Sequence, residues 1–279
     1  MTSPIEEIIQ GGGGKLFVRS WRPEAPRGVV AICHGFNAHG GYYSWVAAQF
    51  VAAGLAAYAV DLRGRGKSEG ERFFVDNIGD YVADVHALIR LAKARYPELP
   101  LFLLGHSAGG VVSVTYALDH PGELAGLICE DFAYRVPAPD FALAALKGLA
   151  HLAPHSRAVP LANADFSRDA AHVAAMNADP LIAGEKQPFQ TMSALVHADE
   201  RLRKEFPRVT LPVLIIHGSA DRATKPAGSR EFYEHAGSKD KTLKIYDGRF
   251  HDMLNDIGKE EVMADIRAWI DAHLARRSS

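Results

Sequence analysis

One stretch of the 279-residue sequence combines a nucleophile with the kind of turn that would present it. Gly105-His106-Ser107-Ala108-Gly109 follows an apolar run of strand-forming residues and precedes a helical segment rich in small residues and valine. A serine at a sharp strand-to-helix turn needs neighbours without bulk, so Gly105 and Gly109 are expected where side chains would collide. The pattern predicts Ser107 as a nucleophile.

A serine hydroxyl is a weak nucleophile until a base takes its proton, and the base needs an orienting carboxylate. His251 and Asp221 fit these roles, because each comes just after an apolar strand. Their order along the chain is serine, acid, histidine, which is typical of enzymes with this turn. Asp131, after the strand that follows the serine turn, is a second candidate for the acid, and Asp252 adjoins the base.

Attack on an ester would also need two backbone N–H groups to stabilise the negative charge on the carbonyl oxygen. We expect one from Ala108, directly after the nucleophile, and one from Phe36, in the loop after an earlier strand. His34, His39 and His106 stand at strand ends near the predicted site. For these three histidines we expect structural or substrate-facing roles.

The elements that must position these residues follow an alternating pattern. From residue 28 to residue 130, short apolar strands alternate with helical segments, which indicates a doubly wound, mostly parallel sheet. The pattern breaks over 131–207, where we predict no strand and helices at 141–152, 168–176 and 189–206. We therefore expect an α/β fold whose core, 1–130 and 208–279, carries a helical cap inserted at 131–207.

The first helix of the predicted cap, 141–152, is rich in alanine and leucine, and Lys147 and His151 interrupt its apolar surface. Such a helix either faces a binding cavity or an amphiphile, or packs on the core. Transient contact with a membrane surface and the oligomeric state both stay open.

Composition excludes several classes of function. The net charge is −2 and 23% of residues are charged, so there is no basic field for nucleic acid. No apolar run approaches the length that spans a membrane. The first ten residues contain Glu6 and Glu7 and do not resemble a signal peptide. Cys33 and Cys129 fall at the ends of predicted buried strands, where no disulfide is implied, so we expect a cytoplasmic protein.

Taken together, the motifs resemble the α/β-hydrolase family, and within it the monoacylglycerol lipase and lysophospholipase branch. The resemblance extends over almost the whole chain, through His34-Gly35, His39-Gly40, residues 61–70, 105–110, 177–182, 217–222 and 241–246, and His251. It implies a serine hydrolase of lipid metabolism that uses neither a metal nor an organic cofactor. The implied substrates are esters of one long acyl chain with a small polar alcohol.

The loop after the first core strand departs from the family pattern His-Gly-x-Gly-Glu-His-x-x-Arg-Tyr. Ala38 stands at the position of the glutamate, Tyr42 at that of the arginine and Asn37 at that of the second glycine. In the family, the glutamate and arginine help to hold the glycerol group. We therefore expect recognition through the acyl chain or a more apolar alcohol, with Asn37, Tyr42 and His106 lining the substrate site.

The leading expectation is an ester hydrolase of the monoacylglycerol lipase type that forms an acyl-enzyme on Ser107. A broader carboxylesterase, acting on alkyl or aromatic monoesters or on lactones, is the alternative among enzymes. A binding protein that keeps the site but turns over slowly is the alternative of another class. Serine at position 107 argues against the dehalogenases and epoxide hydrolases of this fold that use an aspartate nucleophile.

Overall fold

The computed structural model describes residues 3–134 and 139–278. Its strands are β1 (Ile5–Gly11), β2 (Gly14–Trp21), β3 (Gly28–Cys33), β4 (Leu55–Val60), β5 (Leu101–His106), β6 (Gly126–Glu130), β7 (Arg157–Pro160), β8 (Lys186–Pro188), β9 (Val213–Gly218) and β10 (Lys241–Tyr246). Eight of them form one sheet in the order β1-β2-β4-β3-β5-β6-β9-β10. The pairs β1–β2 and β2–β4 are antiparallel, and the other neighbouring pairs are parallel. The predicted α/β class with a mostly parallel sheet is confirmed.

The central strands are apolar because both faces of the sheet are covered. Every residue of β3, β4, β5, β6 and β9 is buried. Continuous burial of this kind is the property of parallel strands between two layers of helices, and it is why these strands show no alternation of polar and apolar residues.

Helices cover both faces of the sheet. The helices of the described residues are α1 (Ser44–Ala52), α2 (Ile78–Arg95), α3 (Ala108–Asp119), α4 (Asp140–Leu152), α5 (Ala170–Ala178), α6 (Phe189–Glu205), α7 (Pro226–His235) and α8 (Lys259–Ser278). Side chains of α1 and α8 join one core with Ile32, and side chains of α2 and α3 join the other with Ala31. Within the described ranges, no helix has both the length and the apolarity needed to cross a membrane.

The segment between β6 and β9 contains α4, α5 and α6, close to the three predicted helices. The expectation of no strand in this segment is wrong, because β7 and β8 pair as a small antiparallel sheet. These strands have only four and three residues, and each ends in proline. Strands this short carry no readable alternation, so their pairing depends on tertiary contacts.

The buried carboxylate of Asp61 joins three segments beneath the site. It accepts hydrogen bonds from Arg19 Nη1 at 2.7 Å, from the Gly40 N–H at 2.8 Å and from the Lys67 N–H at 2.9 Å. Arg19 lies on β2, Gly40 in the loop after β3 and Lys67 in the turn after β4. The side chains of Asp61 and Arg19 are 0% and 6% exposed, so water cannot replace a lost partner.

Removing this carboxylate is expected to destabilise the fold. Asp61→Ala leaves the buried Arg19 guanidinium with only the half-exposed Glu6 carboxylate, 3.6 Å away, and we expect the free energy of unfolding to fall by about 3–5 kcal/mol. Urea denaturation followed by circular dichroism measures the loss. The matched control is Lys15→Ala, which breaks an exposed pair with Glu69 and should cost less than about 1 kcal/mol. Equal losses in the two variants would contradict the role of Asp61.

Candidate active site

The turn between β5 and α3 holds Ser107 in a conformation that few residues adopt. Its backbone has φ 56° and ψ −123°. A Cβ on Gly109 would lie 2.3 Å from the Cys33 carbonyl oxygen, and one on Gly105 would lie 2.5 Å from the Gly109 carbonyl oxygen. Both distances are shorter than real Cβ contacts. A side chain at either position would therefore collide with the backbone, as expected from the sequence, and this explains the spacing of the glycines around Ser107.

The structure brings Ser107, His251 and Asp221 together. Ser107 Oγ lies 2.7 Å from His251 Nε2, and His251 Nδ1 lies 2.8 Å from Asp221 Oδ2. Because a carboxylate only accepts hydrogen bonds, Nδ1 carries the proton and Nε2 is free to accept the serine hydroxyl proton. This orientation suits general-base activation of Ser107.

Asp221 is held as a carboxylate by several donors. Besides His251, Oδ2 accepts from His217 Nε2 at 3.0 Å and Thr224 Oγ1 at 2.6 Å, and Oδ1 accepts the Ala223 N–H at 2.7 Å. Burial raises the pKa of Asp221, but the charge and hydrogen bonds of His251 and His217 outweigh it and hold the pKa below its usual range. Sequence reasoning missed His217 and Thr224 as partners of this acid, although His217 stands at a predicted strand end.

The two rival carboxylates lie close by but have different partners. Asp131 is buried, and its Oδ1 accepts the Gly218 N–H at 2.8 Å. Burial and the charge of Asp221 raise the pKa of Asp131 well above its usual value. Asp252 accepts hydrogen bonds from Asn255 Nδ2 and lies 3.5 Å from His172 Nε2. In this arrangement Asp221 is the carboxylate that contacts His251 Nδ1.

The three other histidines are packed into the protein. His34 Nδ1 donates to the Gly35 carbonyl at 2.7 Å and Nε2 accepts the Leu62 N–H, and burial lowers the pKa of His34 to about 3. His39 Nε2 lies 2.9 Å from Asp179 Oδ2. His106 is 1% exposed, and its Nε2 donates to the His251 carbonyl at 3.2 Å. For His106 this geometry favours support of His251 over contact with substrate.

The loop after β3 approaches the serine closely, as an oxyanion site requires. A Cβ on Gly35 would lie only 3.3 Å from Ser107 Oγ, so the chain passes beside the nucleophile one residue before Phe36. Among the described residues, neither the Phe36 N–H nor the Ala108 N–H donates to a carbonyl outside its own helix or strand. Two unpaired donors next to Ser107 suit a developing oxyanion.

The predicted substrate residues of this loop have different surroundings. Asn37 lines a cavity of about 410 Å³ between the loop and residues 161–185, and its Nδ2 donates to Asn163 Oδ1 at 2.8 Å. Ser107 is not among the lining residues of that cavity. The Tyr42 hydroxyl donates to Asp179 Oδ2 at 2.8 Å. The structure thus brings Asn37 to a cavity and ties Tyr42 to the segment between β6 and β9.

A buried ion pair next to this loop could not be read from the sequence. Arg65 is paired with Glu185, donates to Tyr81 Oη and Gln187 Oε1 at 2.9 Å each, and stacks 4.4 Å from the Phe36 ring. Its partners lie up to 122 residues away in the chain. No local pattern signals such a pairing, yet it joins the Phe36 loop to β8.

Potential metal ligands occur in three groups within the described ranges. In the group of Asp131, Asp221 and His251, the facing atoms of Asp221 and His251 already bind each other. In the surface group of His86, His120 and Glu123, the two imidazole rings stack 4.5 Å apart with 13° between their planes. Parallel stacked rings do not direct two nitrogen lone pairs at one ion. The third group is His106, Glu130 and Asp252.

Amide substitution distinguishes the role of Asp221 from that of Asp131. Asp221→Asn replaces the acceptor for His251 Nδ1–H and should lower kcat roughly 10,000-fold. Asp131→Asn keeps an acceptor for the Gly218 N–H and leaves the hydrogen bond between His251 and Asp221 in place, so kcat should fall less than roughly tenfold. Hydrolysis of a p-nitrophenyl ester measures both. A larger loss in the Asp131 variant would make Asp131 the acid.

Comparisons with known proteins agree with this geometry. The family model described as serine aminopeptidase, S33 matches residues 24–258. A monoacylglycerol lipase of Mycolicibacterium smegmatis is 36% identical over 94% of this chain and 95% of its own length. The monoglyceride lipase of Homo sapiens is 33% identical over 97% of this chain and 91% of its own.

A solved structure gives the same result for the fold. The monoacylglycerol lipase of Paleococcus ferrophilus superposes with a TM-score of 0.84 at 29% identity, over 92% of this chain and 99% of that one. The α/β-hydrolase fold expected from the motifs is therefore confirmed. The chain belongs to the serine aminopeptidase S33 family and, among the α/β-hydrolases, to the monoacylglycerol lipase branch.

Proposed function

We propose that this chain is a serine hydrolase that cleaves carboxylic esters of the monoacylglycerol type through an acyl-enzyme on Ser107. The observation that carries the proposal is the chain of two hydrogen bonds from Ser107 Oγ to His251 and from His251 to Asp221. The monoacylglycerol lipases that share nearly all of its length support the choice of substrate class.

In the proposed reaction, His251 Nε2 takes the hydroxyl proton as Ser107 Oγ attacks the ester carbonyl carbon. The N–H groups of Phe36 and Ala108 stabilise the resulting oxyanion, and the Asp221 carboxylate stabilises the imidazolium. His251 then returns the proton to the alkoxide leaving group, and the alcohol departs. A water molecule, deprotonated by His251, releases the carboxylic acid and restores Ser107.

The segment 131–207, of which residues 135–138 lie outside the described ranges, serves in this proposal as a cap over the core formed by 1–130 and 208–279. Phe166 supports the assignment, because its ring meets the His251 ring edge-on at 5.0 Å. Its carbonyl also accepts the Asp252 N–H at 2.7 Å. Phe166 would thus shield one side of the His251 ring from bulk solvent and leave its Nε2 to the substrate and the hydrolytic water.

A second candidate function differs from this proposal in the alcohol group of the ester substrate. Ala38 is buried, and the Tyr42 hydroxyl is bound to Asp179, so neither supplies a charged group for glycerol. This observation favours, as a second candidate, a broader carboxylesterase that accepts alkyl or aromatic monoesters or lactones. Lysophospholipids share the single acyl chain and belong in the same test.

Substitution of the nucleophile tests the chemistry. Ser107→Ala should lower hydrolysis of p-nitrophenyl esters roughly a million-fold, because no acyl-enzyme can form. Mass spectrometry of the wild-type protein during turnover should show acylated Ser107. Normal turnover by folded S107A would refute the mechanism, and stoichiometric acylation without turnover would identify a binding protein.

The substrate class is tested with acyl-matched panels. Monoacylglycerols, lysophospholipids and alkyl esters of the same fatty acid are compared by kcat/KM, with lactones and aromatic monoesters included. The proposal expects the monoacylglycerol to be the best substrate. Alkyl or aromatic esters that outperform it clearly would replace the proposal with the broader carboxylesterase.

We further propose that the cap touches a lipid surface through α4. Phe141, Leu149 and Leu152 are 78%, 42% and 85% exposed and lie on one side of this helix. Exposed aromatic and leucine side chains on a helix favour insertion at a membrane interface. The net charge of −2 assigns the attraction to apolar contact and not to anionic lipid.

Sedimentation with phosphatidylcholine vesicles tests this contact. The double variant Phe141→Ser, Leu152→Ser should bind the vesicles at least roughly tenfold more weakly, because two exposed apolar side chains no longer leave water. The matched control is Ile5→Ser, Ile8→Ser, which removes two exposed apolar side chains from β1. Equal binding of both variants and the wild type would exclude a role for α4.

A reducing, cytoplasmic location is also proposed. Cys33 and Cys129 are free and buried, and burial raises the pKa of both thiols above the usual value. Such thiols pack as small apolar groups and need no oxidising compartment.

A further inference from the structure

A buried group of polar side chains lies behind His251 and has no role in the steps above. We name it the Glu130 cluster: Glu130, His106 and Asp252, each at most 3% exposed. One side-chain nitrogen or oxygen of each lies within 4.8 Å of those of the other two. Among the described residues, Glu130 Oε2 and His106 Nδ1 have no hydrogen-bond partner. Unpaired buried polar atoms are costly, so this pair requires an explanation.

Glu130 contacts both catalytic segments. Its backbone carbonyl accepts the Ser107 N–H at 2.9 Å. Its side-chain Oε1 accepts the Leu254 N–H at 2.8 Å, three residues after His251. A single residue at the end of β6 therefore joins the serine turn to the histidine loop.

His106 connects the same cluster to His251. Its Nε2 lies 3.2 Å from the His251 carbonyl oxygen, and a carbonyl only accepts, so Nε2 carries hydrogen. Burial lowers the pKa of His106 to about 4, so the ring is neutral at pH 7 and Nδ1 is a bare acceptor. The unpaired Nδ1 therefore needs a donor.

Glu130 can be that donor only as a carboxylic acid. Burial and the neighbouring Asp252 raise its pKa well above the usual value, which favours the protonated form that a donor at Oε2 requires. Burial raises the pKa of Asp252, but His172 and His106 outweigh burial and hold the pKa below its usual value. The ionisable side chains that interact with Glu130 are His106, Asp131, Asp252, Tyr43 and Tyr246.

We propose that Glu130 is a positioning residue whose carboxyl group donates to His106 Nδ1 through one bridging water, and so holds His106 Nε2–H against the His251 carbonyl. The catalytic consequence of this inference rests on the proposed function. The hydrogen-bond arrangement itself does not depend on the proposed function.

Two substitutions of Glu130 test the consequence. Glu130→Leu removes the donor and the acceptor for the Leu254 N–H, and we expect kcat to fall roughly tenfold to a hundredfold at nearly constant KM, because His251 is misplaced. Glu130→Gln keeps an acceptor, offers an N–H donor and cannot ionise, so it should recover most of the loss. A Leu variant as active as wild type, or a Gln variant as impaired as Leu, would overturn the proposal.

Histidine ¹⁵N NMR of the wild-type protein provides a readout that needs no variant to fold. At pH 7, His106 should be neutral with hydrogen on Nε2 and a hydrogen-bonded Nδ1, and E130Q should give the same pattern. A doubly protonated ring or hydrogen on Nδ1 would overturn the proposal. If wild type and S107A prove equally inactive on esters, the proposed function fails, while the tautomer of His106 still decides this inference.

Discussion

The strained turn at Ser107 is the constraint around which the site is built. A non-glycine residue at φ 56° costs on the order of 1–3 kcal/mol and persists only when its surroundings hold it. Here the Ser107 N–H donates to the Glu130 carbonyl, and the Ser107 carbonyl accepts the N–H groups of Gly110 and Ala133. On its other side, the turn is held by the close approach of Gly109 to the end of β3. The turn therefore exists because β3, β5, β6 and α3 close around it.

Burial around this turn gives different pKa values to carboxyl groups that are chemically alike. Asp221, with donors on both oxygens, is held ionised, whereas Asp131 and Glu130 are buried with fewer donors and next to other acids. Low polarity penalises each additional negative charge, so a buried carboxylate keeps a low pKa only where hydrogen-bond donors and positive charge compensate the burial. The carboxylate that faces His251 Nδ1 is therefore the one of the three whose pKa is lowered.

The loop after β3 also joins the core to the segment between β6 and β9. The Asn37 N–H donates to Glu185, and His39 and Tyr42 both contact Asp179. From the sequence, side chains of this loop are expected to line a substrate site. In the structure, most of them are hydrogen-bonded to this segment instead. The positions of the loop and the segment are therefore physically coupled, because movement of the segment would break these hydrogen bonds.

Much of the fold follows from local sequence. Continuous apolar runs identify the buried strands, and the glycine spacing around Ser107 identifies the turn, because both depend on neighbours in the chain. The helix α7 was not anticipated, although it begins at Pro226, a residue favoured at a helix start. The sequence favoured Asp221 over Asp131 as partner of His251, and the structure supplies the contact between them. The pairing of β7 with β8 and the Arg65–Glu185 pair were decided only by tertiary structure. Each depends on distances between residues far apart in sequence and on burial, and neither quantity is encoded within a short window of residues.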